Sequence, residues 1–260
     1  MIRILFIGDI IGRSGRKAVQ KELPGLLAER KPDVIVANCE NLAHGFGITS
    51  DTIEEMTTAG IQCFTSGNHI FDKKEARTLL EDRPYILRPM NYPPEVPGNG
   101  SLTIPLPGGR SVTVVSMLGR AFMPPVDCPF RTMDRFLEAM DTDIVLVDFH
   151  GEATAEKAAF SYEFDGKVTA VIGTHTHVQT ADERTLPHGT VFLTDAGMTG
   201  AMDSVIGVEK DTAIRRMRTG INEHLTPAKG MYWLCGCEVT VEGNGRAAIE
   251  RIMIKSKKGK

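Results

Sequence analysis

Short runs rich in β-branched residues alternate along the chain with helix-forming stretches, and this alternation constrains the fold more than any other feature. Strand-like runs fall at 2–7, 34–37, 63–66, 112–116, 144–149, 168–172 and 191–194. Helical stretches fall at 13–29, 52–58, 73–81, 133–140 and 155–164. The alternation predicts an α/β fold on largely parallel strands. Two regions depart from it. The proline-rich segment 85–107 reads as a long connection with edge-strand pieces. Runs at 231–241 and 247–254 flank Glu242-Gly243-Asn244-Gly245, and Asn-Gly is a hairpin signal. The body is therefore expected to close with an antiparallel hairpin and a second or mixed sheet. With no internal repeat and no domain linker, residues 1–260 read as a single domain. Residues 255–260 read as a solvated, frayed tail.

Composition excludes several classes. Hydrophobic residues at 42% and charged residues at 24% are ordinary globular values, against disorder, collagen-like or coiled-coil readings. A net charge of −3 leaves no strong basic field for a dedicated duplex-DNA binder. No apolar run reaches the roughly 18 residues a membrane span needs, so no membrane partner is expected. The N-terminal MIRILFIGDI is interrupted by Asp9 and lacks a small-residue cleavage pattern, so it reads as a strand rather than a secretory signal. Five dispersed cysteines, an odd number, suit the reducing cytoplasm better than a disulfide framework. Cys235-Gly236-Cys237 reads as strand packing rather than a metal motif.

The functional signal is positional. Asp9 follows the first strand, Glu40 and Asn41 the second, and Asn68 and His69 the third. His150 follows a later strand, and His175 and His177 another. A lone Asp after a strand is usually a turn or cap residue. Successive strand ends that each deliver metal-type side chains are a different matter, because the carboxyl ends of strands form the ligand crevice of an α/β sheet. The set offers carboxylates, amide oxygens and imidazoles with no thiolate, which suits Mn, Fe, Co, Ni or Zn. It is too large for one tetrahedral ion and fits two ions sharing a carboxylate, a recurring device for phosphoester hydrolysis.

Asp148 and Glu152 flank His150 and are candidate acceptors for ligand imidazoles. Two weaker candidates for touching substrate are His44, on a glycine-bearing loop, and Arg13, in the glycine loop before the first helix. Gly197 and Met198 read as a loop near the mouth of the site. His188 and His224 receive no role.

The motif set resembles the calcineurin-like metallophosphoesterase pattern, which reads D-x-H, GD, GNH[DE], H and GHxH. Asp9-Ile10-Ile11 lacks the His of the first motif, and Glu40-Asn41 stands where Asp is usual. Both departures are similar to the bacterial YmdB-type branch. So are Asn38-Cys39-Glu40-Asn41, Asp148-Phe149-His150, Gly173-Thr174-His175-Thr176-His177 and Thr194-Asp195-Ala196-Gly197-Met198. The resemblance implies a four-layer αββα sandwich with mixed sheets. It implies two divalent or trivalent transition-metal ions per chain, Fe or Mn first and Zn also compatible. One ion would take Asp9, Glu40, Asn41 and His177, and the other Glu40, Asn68, His150 and His175. Glu40 would bridge them, Asn41 would replace the missing His, and His69 would be the general acid rather than a ligand. The implied activity is hydrolysis of small phosphodiesters, including 2′,3′-cyclic nucleotides, by a metal-bridged hydroxide. RNA ends are a further expected partner, and homo-oligomers are expected. A nucleotide-binding regulatory protein with little turnover is the alternative reading.

Overall fold

The computed structural model describes residues 1–140 and 142–256. The first half of the chain gives β1 (Ile2–Ile7), β2 (Asp9–Ile10), α1 (Gly12–Arg30), β3 (Val34–Asn38), α2 (Ser50–Thr58), β4 (Cys63–Thr65) and α3 (Ala76–Asp82). There follow β5 (Ser101–Pro105), β6 (Ser111–Leu118), α4 (Pro129–Ala139), β7 (Ile144–His150), α5 (Thr154–Glu163) and β8 (Ala170–Thr174). The last are β9 (Arg184–Thr185), β10 (Val191–Leu193), β11 (Met198–Ala201), α6 (Lys210–Thr219), β12 (Tyr232–Val241) and β13 (Ala247–Lys255).

The strands form two mixed sheets. One runs β2-β11-β12-β1-β3-β4 with β13 paired to β12, and the other β5-β6-β7-β8-β10-β9. The parallel sets are β1-β3-β4 and β6-β7-β8-β10. The antiparallel members include the predicted hairpin, in which Val241 faces Ala247 across the turn.

Alternation along each strand explains the layering, because successive side chains point to opposite faces. In β1, Ile4 and Phe6 enter the core between the sheets, while Leu5 and Ile7 turn outward onto α1 and α2. In β7, Ile144 and Leu146 meet that same central core, while Val145, Val147 and Phe149 pack on α4 and α5. Each apolar side chain buried this way contributes roughly 1.5–3 kcal/mol. The result is the four-layer αββα sandwich, with both parallel sets opening their carboxyl ends toward one rim.

Several boundaries differ from the sequence reading. α4 begins at Pro129 rather than 133, because proline is favoured in the first helical turn, where its missing N–H costs nothing. β8 runs to Thr174, two residues beyond 172, so it delivers His175 directly. Within 85–107 the edge piece is β5, antiparallel to β6. Met198 is not in a loop: it opens β11 and pairs in parallel with Asp9 of β2. The strands β2, β9 and β11 are too short, and α6 too polar, to stand out as periodic runs. Lys255 ends β13, and the rest of the frayed-tail expectation, residues 257–260, lies outside the described residues. No described helix is long and apolar enough to cross a membrane.

Candidate metal centre

At the common rim, β-strand ends from both sheets bring the sequence candidates together. Glu40, His150 and His175 each offer one ligand atom, all within 4.8 Å of one another. Glu40 Oε1 lies 3.0 Å from His150 Nε2, and that nitrogen lies 3.0 Å from His175 Nδ1. Asp9 joins them by accepting the His175 backbone N–H at Oδ2 (3.2 Å). His177 Nε2 lies 3.8 Å from Asp9 Oδ1 and 3.4 Å from Asn41 Nδ2. The backbone N–H of His69 donates to Glu40 Oε2 (2.9 Å), which places the Asn68-His69 segment against the same carboxylate.

Close backbone approach makes this convergence possible. A Cβ at Gly67 would collide with the His150 ring, and one at Gly173 with the Thr194 carbonyl. His175 and His177 both sit at positive φ, +101° and +66°. Such conformations cost on the order of 1–3 kcal/mol each for non-glycine residues and persist only where surrounding structure enforces them. The enforcement is visible. The fully buried Lys157 donates from Nζ to Thr174 O (2.7 Å) and to Asp195 Oδ2 (2.9 Å). Asp195 in turn accepts the Thr176 N–H (3.0 Å) and the Gly197 N–H (2.8 Å). A buried Lys–Asp pair clamps the His175-Thr176-His177 turn to the segment that leads into β11.

Hydrogen bonds behind the rings fix which nitrogen faces inward. The Thr174 hydroxyl donates to Asp148 Oδ1 (2.6 Å), so it accepts from His150 Nδ1 (2.9 Å). His175 Nε2 meets Glu152 Oε2 (3.1 Å), and His177 Nδ1 meets the Ile206 carbonyl (2.9 Å). His150 Nε2, His175 Nδ1 and His177 Nε2 therefore face the carboxylates. Replacing Thr174 with valine keeps the shape and removes this relay. It is expected to weaken metal binding about 10–100-fold, the usual cost of losing an outer partner. Titration of the metal-free variant with Mn²⁺ checks this, and unchanged affinity would show that the relay does not orient His150.

The electrostatics describe a site arranged for cations. Burial raises the Asp9 carboxyl above its ordinary value, with His177 only partly opposing. Burial also works against the Glu40 charge, but the His150 imidazole and the His69 N–H overcome it and bring the carboxyl to about 2. For His150, burial is likewise outweighed, here by Glu40 with Asp9 and Asp148, and the imidazolium persists to about 9. Burial, then repulsion from His150, lowers His175 to about 3, so its inward nitrogen keeps a free lone pair. Asp9 Oδ1 and Asn68 Oδ1 are buried with no hydrogen-bond partner. Two orphaned oxygens beside a carboxylate–imidazole cluster fit hard or borderline metal ions.

All seven candidate ligands and His69 thus meet at one rim. Arg13 and His44 do not: both are exposed and line a separate cavity. Asp148 acts one step removed from the imidazole, through Thr174, whereas Glu152 touches His175 directly. Lys157 and the Ile206 carbonyl carried no sequence signal, since a lysine in a helix resembles any surface lysine and a carbonyl has no side-chain code.

Residues 5–252 match the family model described as YmdB-like protein. The chain is 41% identical over 257 residues to the 2′,3′-cyclic-nucleotide 2′-phosphodiesterase of Bacillus subtilis, covering 97% of each chain. A crystal structure of a hypothetical protein from Thermus thermophilus superposes with a TM-score of 0.94 at 41% identity, covering 98% of this chain and all of that one. A structure described as a novel phosphatase from Mycoplasma pneumoniae superposes with a TM-score of 0.93 at 32% identity, covering 98% and 93%.

Proposed function

The chain belongs to the YmdB-like family, and on that premise we propose that it hydrolyses small phosphodiesters, 2′,3′-cyclic nucleotides among them, at a pair of metal ions. The observation that carries this reading is the pair of orphaned oxygens, Asp9 Oδ1 and Asn68 Oδ1, at the rim that holds the Glu40–His150–His175 cluster. One ion would take Asp9, Glu40, Asn41 and His177, and the other Glu40, Asn68, His150 and His175. Bound there, the ions supply charge withdrawal from the phosphoryl oxygens and a water acidified toward neutral pH.

The chain's own residues do the rest. Glu40 would be the ligand the two ions share, with one oxygen toward His150 and the other fixed by the His69 N–H. His69 is the proton donor for the leaving alkoxide. Its Nδ1 is engaged by Asp72 Oδ2 (2.8 Å), which leaves Nε2 for the leaving group. Phe46 meets the His69 ring edge-on at 5.0 Å and limits how far it can swing. The metal–ligand charge suits a diester. Two divalent ions with two carboxylates leave a net +2, which a hydroxide and a diester monoanion neutralise, whereas a monoester dianion overshoots.

The test is product analysis after incubating the metal-loaded protein with 2′,3′-cyclic AMP. The expected product is adenosine 3′-phosphate, from cleavage of the bond to the 2′ oxygen. A folded, metal-loaded sample that leaves the cyclic nucleotide intact contradicts the proposal.

The raised His150 pKa has a consequence for loading. Its imidazolium and the Glu40 carboxylate stabilise one another in the metal-free protein. For His150 that contribution is complete below its unfolded value of about 6.5. It fades as pH rises through about 9. A metal must displace this proton, so uptake at pH 7.5 is expected to release about one proton per chain from His150. Calorimetry in buffers of different ionisation enthalpy measures the number. No buffer dependence would mean that His150 is already neutral or is not a ligand.

A further inference from the structure

Beside the metal centre lies a second cavity, of ≈ 770 Å³, whose charged lining is cationic. Arg13, Arg16 and Lys17 of α1 face it, as does Lys229, and among the described residues no carboxylate lines it. Arg16 is engaged by Glu55 and the Leu42 carbonyl. Arg13, Lys17 and Lys229 are exposed and make no salt bridge among the described residues. The chain as a whole carries −3, so this concentration of cations is local. The first turn of α1 contains no acidic residue, and its helix dipole adds to the positive potential.

The cavity is tied to the metal centre by the backbone. The Gly12 N–H, at the start of α1, donates to the carbonyl of Asn41 (2.9 Å). The strap 224–228 separates the two: Pro227 packs on Gly12 and Gly45, and Ser14 Oγ donates to Ala228 O (3.0 Å). A depression lined by Phe46, Arg216, Asn222, Glu223, His224 and Leu225 adjoins this strap, with the Glu223 carboxylate paired to Arg215. It shares Phe46 and Leu225 with the mouth of the metal centre and His224 with the cationic cavity.

We infer that the cationic cavity holds the upstream phosphates of a short oligoribonucleotide whose 3′ end, closed as a 2′,3′-cyclic phosphate, enters the metal centre. This rests on the proposed phosphodiesterase reading and names its substrate class. A cyclic mononucleotide has one phosphate, which the metal centre occupies, and nothing to place among Arg13, Lys17 and Lys229. An RNA end carries the same cyclic group with further phosphates attached. Lysines and arginines recognise such phosphates without reading sequence, and the half-buried Phe46 offers the terminal base a stacking face on the way. A concave cavity joined to a phosphodiester site favours a phosphate chain over a flat anionic membrane.

The experiment compares kcat/KM for a 2′,3′-cyclic mononucleotide and for a tetranucleotide ending in the same group. It is run across a salt series, in wild type and in the double variant Lys17→Gln/Lys229→Gln. Both positions are exposed, so the variant is expected to fold, and thermal melting verifies this. Wild type is expected to prefer the tetranucleotide by about tenfold or more at low salt. Phosphate contacts at Arg13, Lys17 and Lys229 give a slope of log preference against log salt near −2.1, at about −0.7 per contact on a single strand. The variant keeps only Arg13 and is expected to lose most of the preference, with the slope falling to about −0.7. Cyclic mononucleotide turnover with no chain preference would overturn this inference and leave the phosphodiesterase reading standing. If neither substrate is hydrolysed, that reading fails. Anisotropy of a labelled tetranucleotide 3′-phosphate then decides the cavity alone: salt-sensitive binding weakened in the double variant supports it, and no binding overturns it. Lysine-dependent binding to anionic vesicles without binding to the tetranucleotide would also overturn it.

Discussion

Glu40→Ala is expected to abolish metal-dependent phosphodiester hydrolysis, by at least about 10³-fold, more than the roughly 10–100-fold that losing an outer partner costs. Glu40 is the side chain that the proposed ligand sets share, and both of its oxygens are already engaged at the rim. Its Oε1 faces His150 Nε2 at 3.0 Å and its Oε2 fixes the His69 backbone N–H at 2.9 Å. On the proposed two-ion reading, truncation would take a ligand from each ion. It would also take from the fully buried His150 the carboxylate that keeps it charged. The metal-free variant should therefore show a His150 pKa that falls, since burial then dominates. Metal analysis after loading is expected to find well under two ions per chain. A variant that retains both ions and most of its activity would remove Glu40 from the centre.

The second large effect belongs to His69→Ala, with a different signature. His69 is half-exposed beside Phe46 and Asp72, and only its backbone reaches Glu40. Both ions are expected to stay. Turnover of a poor leaving group, such as the ribose hydroxyl of a cyclic nucleotide, should fall by about 10²–10⁴-fold, the range of general acid catalysis. A p-nitrophenolate leaving group needs little protonation and should be far less affected. Loss of a metal in this variant, or an equal loss on both substrates, would make His69 something other than the acid.

The layered α/β architecture was legible because burial imposes period-two patterns on strands such as β1 and β7, and those patterns survive in the sequence. The clustering of the candidate ligands was legible for a related reason. Each lies at or just beyond the carboxyl end of a longer strand, and parallel strands must present those ends on one rim. Short elements were not legible. β11 has four residues and pairs with the two-residue β2 and the start of β12, so nothing local marks it. The supports of the site were hidden for another reason: they depend on long-range contacts. Lys157 reaches Asp195 from a helix whose pattern looks like any other. The Thr174 hydroxyl works only because Asp148 stands on the neighbouring strand. Arg13 and His44 carried a weak signal toward substrate, and the fold moved them out of the metal centre and onto a cavity beside it.

The Asp9–Glu40–His150–His175 rim is proposed to carry metal-dependent phosphodiester hydrolysis. Hydrolysis of bis-p-nitrophenyl phosphate tests it most directly, with added Mn²⁺, with chelator, and with Asp9→Ala as control. Turnover that requires the metal, disappears in chelator and is lost in Asp9→Ala is the predicted result. No turnover by folded protein shown to carry its metal, or turnover indifferent to chelator and to Asp9, would contradict the claim.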